Sequence, residues 1–313
     1  MKTKSPSLAS RFRGCLLGLA VGDAIGTTVE FMSRGSFEPL TDMVGGGPFH
    51  LPVGAWTDDT SMALCLADSL IEHRGFSAHD QMKRYLDWWR HGFRSSTGKC
   101  FDIGQTTARA LRHFEANGNP FSGSTDLNTS GNGSLMRLAP IPMFYLGRGL
   151  PAAIAAAQDS SRTTHGSVLC LDACRLLCDL IFAALSGNSK HDLLFEDDYF
   201  DFLEVKPLAP KIQGIFKGDY REKTIDQISG SGYVVDCLEA ACWCFLKTDN
   251  FRDAVLLAAN LGDDADTTAA VVGQLAGAYY GEDGIPREWL MNLVMAEEIG
   301  ALADRLRTTV HAA

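Results

Sequence analysis

Two short stretches of this chain crowd oxygen donors where helices are expected to begin. In LGDDADTTAA, Leu261 to Ala270, the acids Asp263, Asp264 and Asp266 fall within four residues ahead of an apolar run. In GAWTDDTSMALCLADSL, the residues Thr57, Asp58, Asp59 and Thr60 precede another apolar run. Carboxylates in a helix's first turn meet the positive end of the macrodipole, and Asp or Thr can cap its amides. One acid would serve that purpose. Adjacent acids repel, so their crowding points to a compensating cation. Brought together, the two helix starts would offer four carboxylates and two hydroxyls. A donor set of oxygen alone favours magnesium or manganese over zinc. A third segment, GCLLGLAVGDAIGTTVEF, carries glycines at 14, 18, 22 and 26, which permit close helix approach, and places Glu30 after the helix end. Near a metal pair, Glu30 is a candidate to position or deprotonate water.

Helical periodicity dominates the elements that must position these groups. Residues 12–25, 61–73, 79–90, 103–115, 150–160 and 166–185 read as helices, as do 234–246, 251–260, 266–280 and 286–308. Strand alternation is scarce, so the reading is an all-α orthogonal multi-helix assembly. The expectation is a single domain over 1–313, with an irregular, charged and aromatic excursion around 188–232. Gly-rich links such as DLNTSGNGS and QISGSGYV read as loops that bring backbone amides near something, or as ordinary turns.

A formal net charge of −10 argues against a nucleic-acid surface. No run of about 18 to 20 uninterrupted apolar residues suggests a membrane span, and the glycine-broken patch after the basic N-terminus reads as part of the folded body rather than a secretory signal. Nine cysteines without zinc-ribbon spacing suit a reducing, cytoplasmic setting. Cys170, Cys174 and Cys178 share one helix face and read as buried packing thiols. His79-Asp80 and His191-Asp192 leave open a helical metal phosphohydrolase of the HD type, although the further His and Asp ligands of that class are not evident.

Taken in order, GDAIGTTVEF, WTDDT, FDIGQTT, GNGSLMR, TTHG, SGSGYVVDCLEA and LGDDADT resemble the ADP-ribosylglycohydrolase family, close to its dinitrogenase reductase-activating branch. The resemblance runs from Gly14 to Gly281. It implies a compact ADP-ribosylglycohydrolase-like all-α fold, with two divalent cations, Mg2+ or Mn2+, at the bottom of a cleft that binds ADP-ribose. By the same resemblance Thr57, Asp58 and Asp59 match one ligand motif, and Asp264, Asp266 and Thr267 match the other. Glu30 matches the acid beside the reacting ribose, and Asp102 an acid that faces the ribose and the departing group. Asn132, Gly133 and Ser134 would supply amides to a diphosphate from a helix start. Gly230, Gly232 and Tyr233 would supply backbone and a ring for adenine, and His165 a ribose or phosphate contact. Asp263 and Ala265 stand where relatives often carry Gly and Thr, so Asp263 is left out of the ligand set. The implied activity is removal of ADP-ribose from a modified protein, most readily from arginine, or from a small ADP-ribosyl compound. A serine linkage and a non-catalytic binder of ADP-ribose are the alternatives.

Overall fold

The computed structural model describes residues 5–195 and 207–309. Its helices, in chain order, are α1 (Leu8–Gly26), α2 (Asp58–His73), α3 (Ala78–His91), α4 (Gln105–Asn117), α5 (Pro140–Tyr145), α6 (Leu150–Arg162) and α7 (Val168–Ser186). They continue as α8 (Lys190–Phe195), α9 (Pro210–Lys217), α10 (Val234–Lys247), α11 (Phe251–Ala259), α12 (Ala265–Tyr280), α13 (Arg287–Asn292) and α14 (Ala296–Thr309). Among the described residues, extended pairing is confined to isolated bridges, so the fold is all-α as expected. Three of these bridges, Ser33 with Gly262, Ser124 with His165 and Gly131 with Tyr233, tie together loops that carry candidate site residues.

Many helices begin with a local cap. Ser7, Ser77, Ser167 and Asn250 each accept a hydrogen bond from the amide three residues on, which satisfies a donor the helix cannot use itself. Glycines in the left-handed region end α3, α4 and α7, at Gly92, Gly118 and Gly187.

The centre of the molecule is an antiparallel contact between α1 and α12. A methyl group on Gly14, Gly18, Gly22 or Gly26 would overlap the carbonyl oxygen of Gly277, Gly273, Ala269 or Ala265 respectively. The four-residue spacing puts these glycines on one helix face, and with no side chain between them the two backbones touch along four turns. The pairing runs in opposite directions, so the end of α1 lies against the beginning of α12. Leu16, Leu17, Leu19, Val271, Val272 and Leu275 complete a core that reaches α7, α10 and α11. By length and composition alone the segment Leu8–Val29 could cross a membrane, yet 89% of its apolar window is buried inside the protein.

Two expectations need correction. Residues 286–308 form two helices instead of one, because Val294 N–H donates to Gly54 O (2.9 Å), Trp56 Nε1 donates to Val294 O (3.0 Å) and Met295 turns to φ 59°. Backbone groups spent on the loop before α2 are lost to helix continuation. The excursion at 188–232 is less irregular than expected, since it contains α8, α9 and a short 3-10 turn at Ile225–Gln227; its residues 196–206 lie outside the described residues.

The seam predicts a sharp packing response. Gly18→Ala or Gly22→Ala forces a methyl into backbone and should lower stability by about 3 kcal/mol, read as a fall in the urea midpoint.

Candidate active site

The helices that carry the acidic motifs, α2 and α12, lack local caps: neither Thr57 nor Asp264 caps through its own side chain. The acceptors come instead from the end of α1. Asp23 Oδ1 accepts from the Thr57 amide and hydroxyl, both at 2.9 Å, and Oδ2 accepts from the Thr60 amide (3.0 Å) and hydroxyl (2.6 Å). Glu30, just past α1 and the 3-10 turn Thr27–Val29, accepts through Oε2 from the amides of Ala265 (2.9 Å) and Asp266 (3.2 Å). One helix end therefore seeds two others. Sequence reasoning missed Asp23; the available signal was an acid inside the glycine ladder of an otherwise buried helix.

The two helix starts converge as the acidic motifs suggested. Glu30, Asp264 and Asp266 each offer a carboxylate oxygen, and all three atoms lie within 4.8 Å of one another. Thr57 Oγ1 stands 3.3 Å from oxygens of both Asp59 and Asp266 as well as 2.9 Å from Asp23. A hydroxyl has one hydrogen to give, so this cluster holds more acceptors than donors. Asp59 Oδ1 is buried with no partner at all. An oxygen-rich cluster short of donors fits a hard divalent cation, and Thr57, Asp58, Asp59, Asp264, Asp266 and Thr267 are the residues that could hold it.

Burial and crowding raise these acids above their ordinary carboxylate values. Burial, reinforced by the charges of Asp264 and Asp102, lifts Glu30 to about 8. Burial and the charges of Asp23 and Asp264 lift Asp102 to about 7. Asp23 rises to about 6, because burial outweighs its four hydrogen bonds. Asp58, Asp59 and Asp266 are pushed well above the usual carboxylate range by burial and by one another, and Asp264 is raised chiefly by burial.

The acids floor a cavity of about 720 Å3. Glu30, Asp58, Asp102, Asp264, Asp266 and Thr267 line it, and Asn132, Gly133, His165 and Gly232 form part of its wall. Thr57 and Asp59 do not line it; they are buried and joined to Asp266 through the Thr57 hydroxyl. Asn132 Nδ2 braces Asp264 Oδ2 at 2.9 Å.

The wall is held by a buried cation. Arg137 donates to Gly133 O (2.9 Å), Ser160 O (3.3 Å) and Thr164 Oγ1 (2.7 Å), with its guanidinium 4.9 Å from the centre of the Tyr85 ring. With Arg137 donating to its oxygen, the Thr164 hydroxyl turns its hydrogen to His165 Nδ1 (2.8 Å), which assigns the ring hydrogen to Nε2. Burial and the Arg137 charge hold His165 down to about 3, so the ring is neutral. It offers the cavity an N–H donor next to Gly133.

Some expected residues lie elsewhere. GNGSLMR forms turns, not a helix start, and α5 begins only at Pro140, because the carbonyls that would continue a helix accept from side chains instead: Gly133 O from Arg137 (2.9 Å), and Leu135 O (3.2 Å) and Met136 O (2.8 Å) from Gln274 Nε2. Ser134 turns inward, where it accepts from Ser161 Oγ at 2.9 Å. Gly230 sits behind α12 and accepts from Asp264 N–H at 2.9 Å. Tyr233 lines a neighbouring cavity of about 860 Å3, which shares Thr106, Gly131 and Gly232 with the first, and its ring carries Lys211 Nζ at 5.1 Å. Asp263 and Phe31 border the acidic cavity, although sequence reasoning excluded the first from the ligands and overlooked the second. The histidines of the phosphohydrolase alternative serve packing: His79 meets the Phe114 ring and His191 stacks on Phe195, while Asp80 is bound to Arg84 and His73.

Comparison with known proteins bears on the family and the fold. A relative named ADP-ribosylarginine hydrolase Tri1, from Pseudomonas putida strain GB-1, is 45% identical over 97% of this chain and 80% of its own length. The ADP-ribosyl-[dinitrogen reductase] glycohydrolase of Rhodospirillum rubrum is 31% identical over 94% of this chain and 93% of its own. A solved structure titled ADP-ribosylglycohydrolase-related protein complex superposes with a TM-score of 0.85 at 42% identity, covering 97% of this chain and 99% of that one. The family model described as ADP-ribosylglycohydrolase matches residues 4–313, and with its capped acidic helix starts and donor-lined cleft this chain belongs to the ADP-ribosylglycohydrolase family.

Proposed function

We propose that this chain, as a single domain, is a divalent-metal-dependent hydrolase that removes ADP-ribose from modified arginine side chains of a protein. The observation that carries the reading is the donor-poor carboxylate cluster on the floor of a cleft large enough for a nucleotide. The arginine linkage is supported by the name of the relative at 45% identity. A pair of divalent cations, Mg2+ or Mn2+, is what the oxygen donor set favours. Nine unpaired thiols suit a reducing compartment such as the cytoplasm.

The reaction breaks the bond between the anomeric carbon of ribose and an arginine nitrogen, with positive charge growing on the sugar. Bound cations supply Lewis acidity and a template for the ribose hydroxyls. The protein's own groups divide the remaining work. Glu30 has Oε2 tied to two amides, which leaves Oε1 to accept the proton of the attacking water once the charge of bound cations releases the proton that burial holds there. Asp102 borders the same cavity and returns a proton to the departing nitrogen, the two acids acting as a pair in the manner of glycoside hydrolysis. Asn132 fixes Asp264, and neutral His165 donates to an anionic part of the substrate without adding a charge. The amides of Gly133 and Ser134 make no hydrogen bond among the described residues and can serve the diphosphate.

One panel tests this reading: ADP-ribosyl-arginine, ADP-ribosyl-serine and O-acetyl-ADP-ribose, each with Mg2+, Mn2+ or chelator, scored by free ADP-ribose. Cleavage of the arginine linkage that chelation abolishes is expected, with Glu30→Gln slower by about 10^2- to 10^4-fold; turnover of the serine linkage alone would sink the proposal.

The acids also set a pH response. Asp23, Asp102 and Glu30 stand at about 6, 7 and 8 in the folded chain, against ordinary values of 3.8 for Asp and 4.5 for Glu. Folded protein therefore holds more protons than unfolded protein between about pH 4 and 8, and stability must fall as pH rises through that window. Metal-free protein should show a lower Tm at pH 8 than at pH 5, and Mn2+ should restore it. Asp58→Asn, which removes one buried charge from the cluster, should raise the metal-free Tm at pH 8 while abolishing hydrolysis; an unchanged or lowered Tm would count against mutual repulsion as the governing force.

A further inference from the structure

The rim of the acidic cavity holds a feature that the chemistry above does not use. Phe31, directly after Glu30, leaves 67% of its surface exposed at the edge of the cavity. Asp263, directly before Asp264, is exposed on the same edge. Their backbones are pinned to each other: Phe31 N–H donates to Asp263 O (2.8 Å), Asp263 N–H donates to Met32 O (2.7 Å), and Ser33 pairs with Gly262 in a bridge. Both residues stand in the left-handed region, at φ 64° and 58°, and Asp102 across the cavity stands there too, at 56°. The Phe31 ring is met edge-on by Phe49 (6.3 Å, 75°), and Phe49 in turn packs on Phe101 (5.3 Å), the neighbour of Asp102. A row of rings thus joins the loop of one catalytic acid to the loop of the other.

An exposed ring beside an exposed carboxylate suits a planar cation, which gains from the ring's π face and from charge-assisted hydrogen bonds together. We propose that Phe31 and Asp263 receive the guanidino group of the target arginine and so bias this site toward a cationic leaving group. The proposal rests on the arginine-hydrolase reading above. A serine linkage offers neither charge nor a delocalised plane, so it gains nothing from the pair. The assignment also gives Asp263 a role outside the metal cluster, since its backbone serves Phe31 and Met32 while its side chain stays at the rim.

The substitutions Asp263→Asn and Phe31→Leu separate the contributions. Asn is comfortable at positive φ, and both backbone hydrogen bonds survive either change. Wild-type protein with Mn2+ is assayed first on ADP-ribosyl-arginine; no turnover there overturns the functional reading and this inference with it. Given turnover, D263N should raise KM for ADP-ribosyl-arginine about three- to fivefold and flatten its dependence on salt. F31L should raise KM about threefold, and the double variant about tenfold. Affinity for free ADP-ribose, which lacks the guanidino group, should stay within about twofold by calorimetry. Unchanged KM in the double variant, or an equal loss of ADP-ribose affinity, overturns the reception site and leaves the hydrolase reading standing.

Discussion

Everything at the active end depends on two helices touching without side chains between them. Because α1 and α12 meet backbone to backbone through Gly14, Gly18, Gly22 and Gly26, their axial register is fixed at four positions. A side chain at any one of them would push the helices apart by more than an ångström, and that displacement would be felt where Glu30 accepts from the amides of Ala265 and Asp266. The seam is thus a ruler as well as a core contact. Antiparallel contact matters equally: it sets the carboxylates that follow α1 against the unsatisfied amides that open α12, where a negative charge is favoured by the helix dipole.

That geometry also explains how so many acids can be held together. Glu30 and Asp23 are stabilised by amides and hydroxyls, so their presence follows from capping alone. Asp59 and Asp266 share the single Thr57 hydroxyl and Asp266 adds only the Thr267 amide, so burial and neighbouring charges push Asp58, Asp59 and Asp266 well above the usual carboxylate range. Folding of the metal-free chain must absorb that cost elsewhere, in the apolar contacts of α1, α7, α10, α11 and α12. A site strained in this way would release its protons to solvent readily in exchange for a divalent cation.

The parts legible in the sequence were those governed by local rules. Ser77 and Gly92 bracket a helix by capping chemistry, and the four-residue glycine spacing announced a close approach before its partner was known. The oxygen-only composition of the two acidic motifs pointed to hard cations for a reason that needs no coordinates. What escaped depends on contacts between distant segments. Helix 286–308 breaks because Gly54 and Trp56 claim the backbone of Val294, and GNGSLMR stays in turns because the side chains of Arg137 and Gln274 claim the carbonyls of Gly133, Leu135 and Met136. Asp23 escaped notice because its partners, Thr57 and Thr60, lie 34 and 37 residues away.

The cavity has two chemically opposite sides, and this constrains how any dinucleotide-like ligand can enter. Its floor is crowded with carboxylates and repels phosphate. Its wall offers donors without net charge: the Nε2–H of a histidine kept neutral by Arg137 and burial, and the unused amide of Gly133. Arg137 itself stays out of reach, fully buried and committed to carbonyl and hydroxyl oxygens, so its charge orients the wall without gripping the ligand. On the proposed reading the diphosphate would rest against the wall, with the attached sugar toward the acids and the group beyond it toward the rim at Phe31 and Asp263. Orientation thus follows from where the donors and the negative charges are placed, and it would persist even if the cations bound after the substrate.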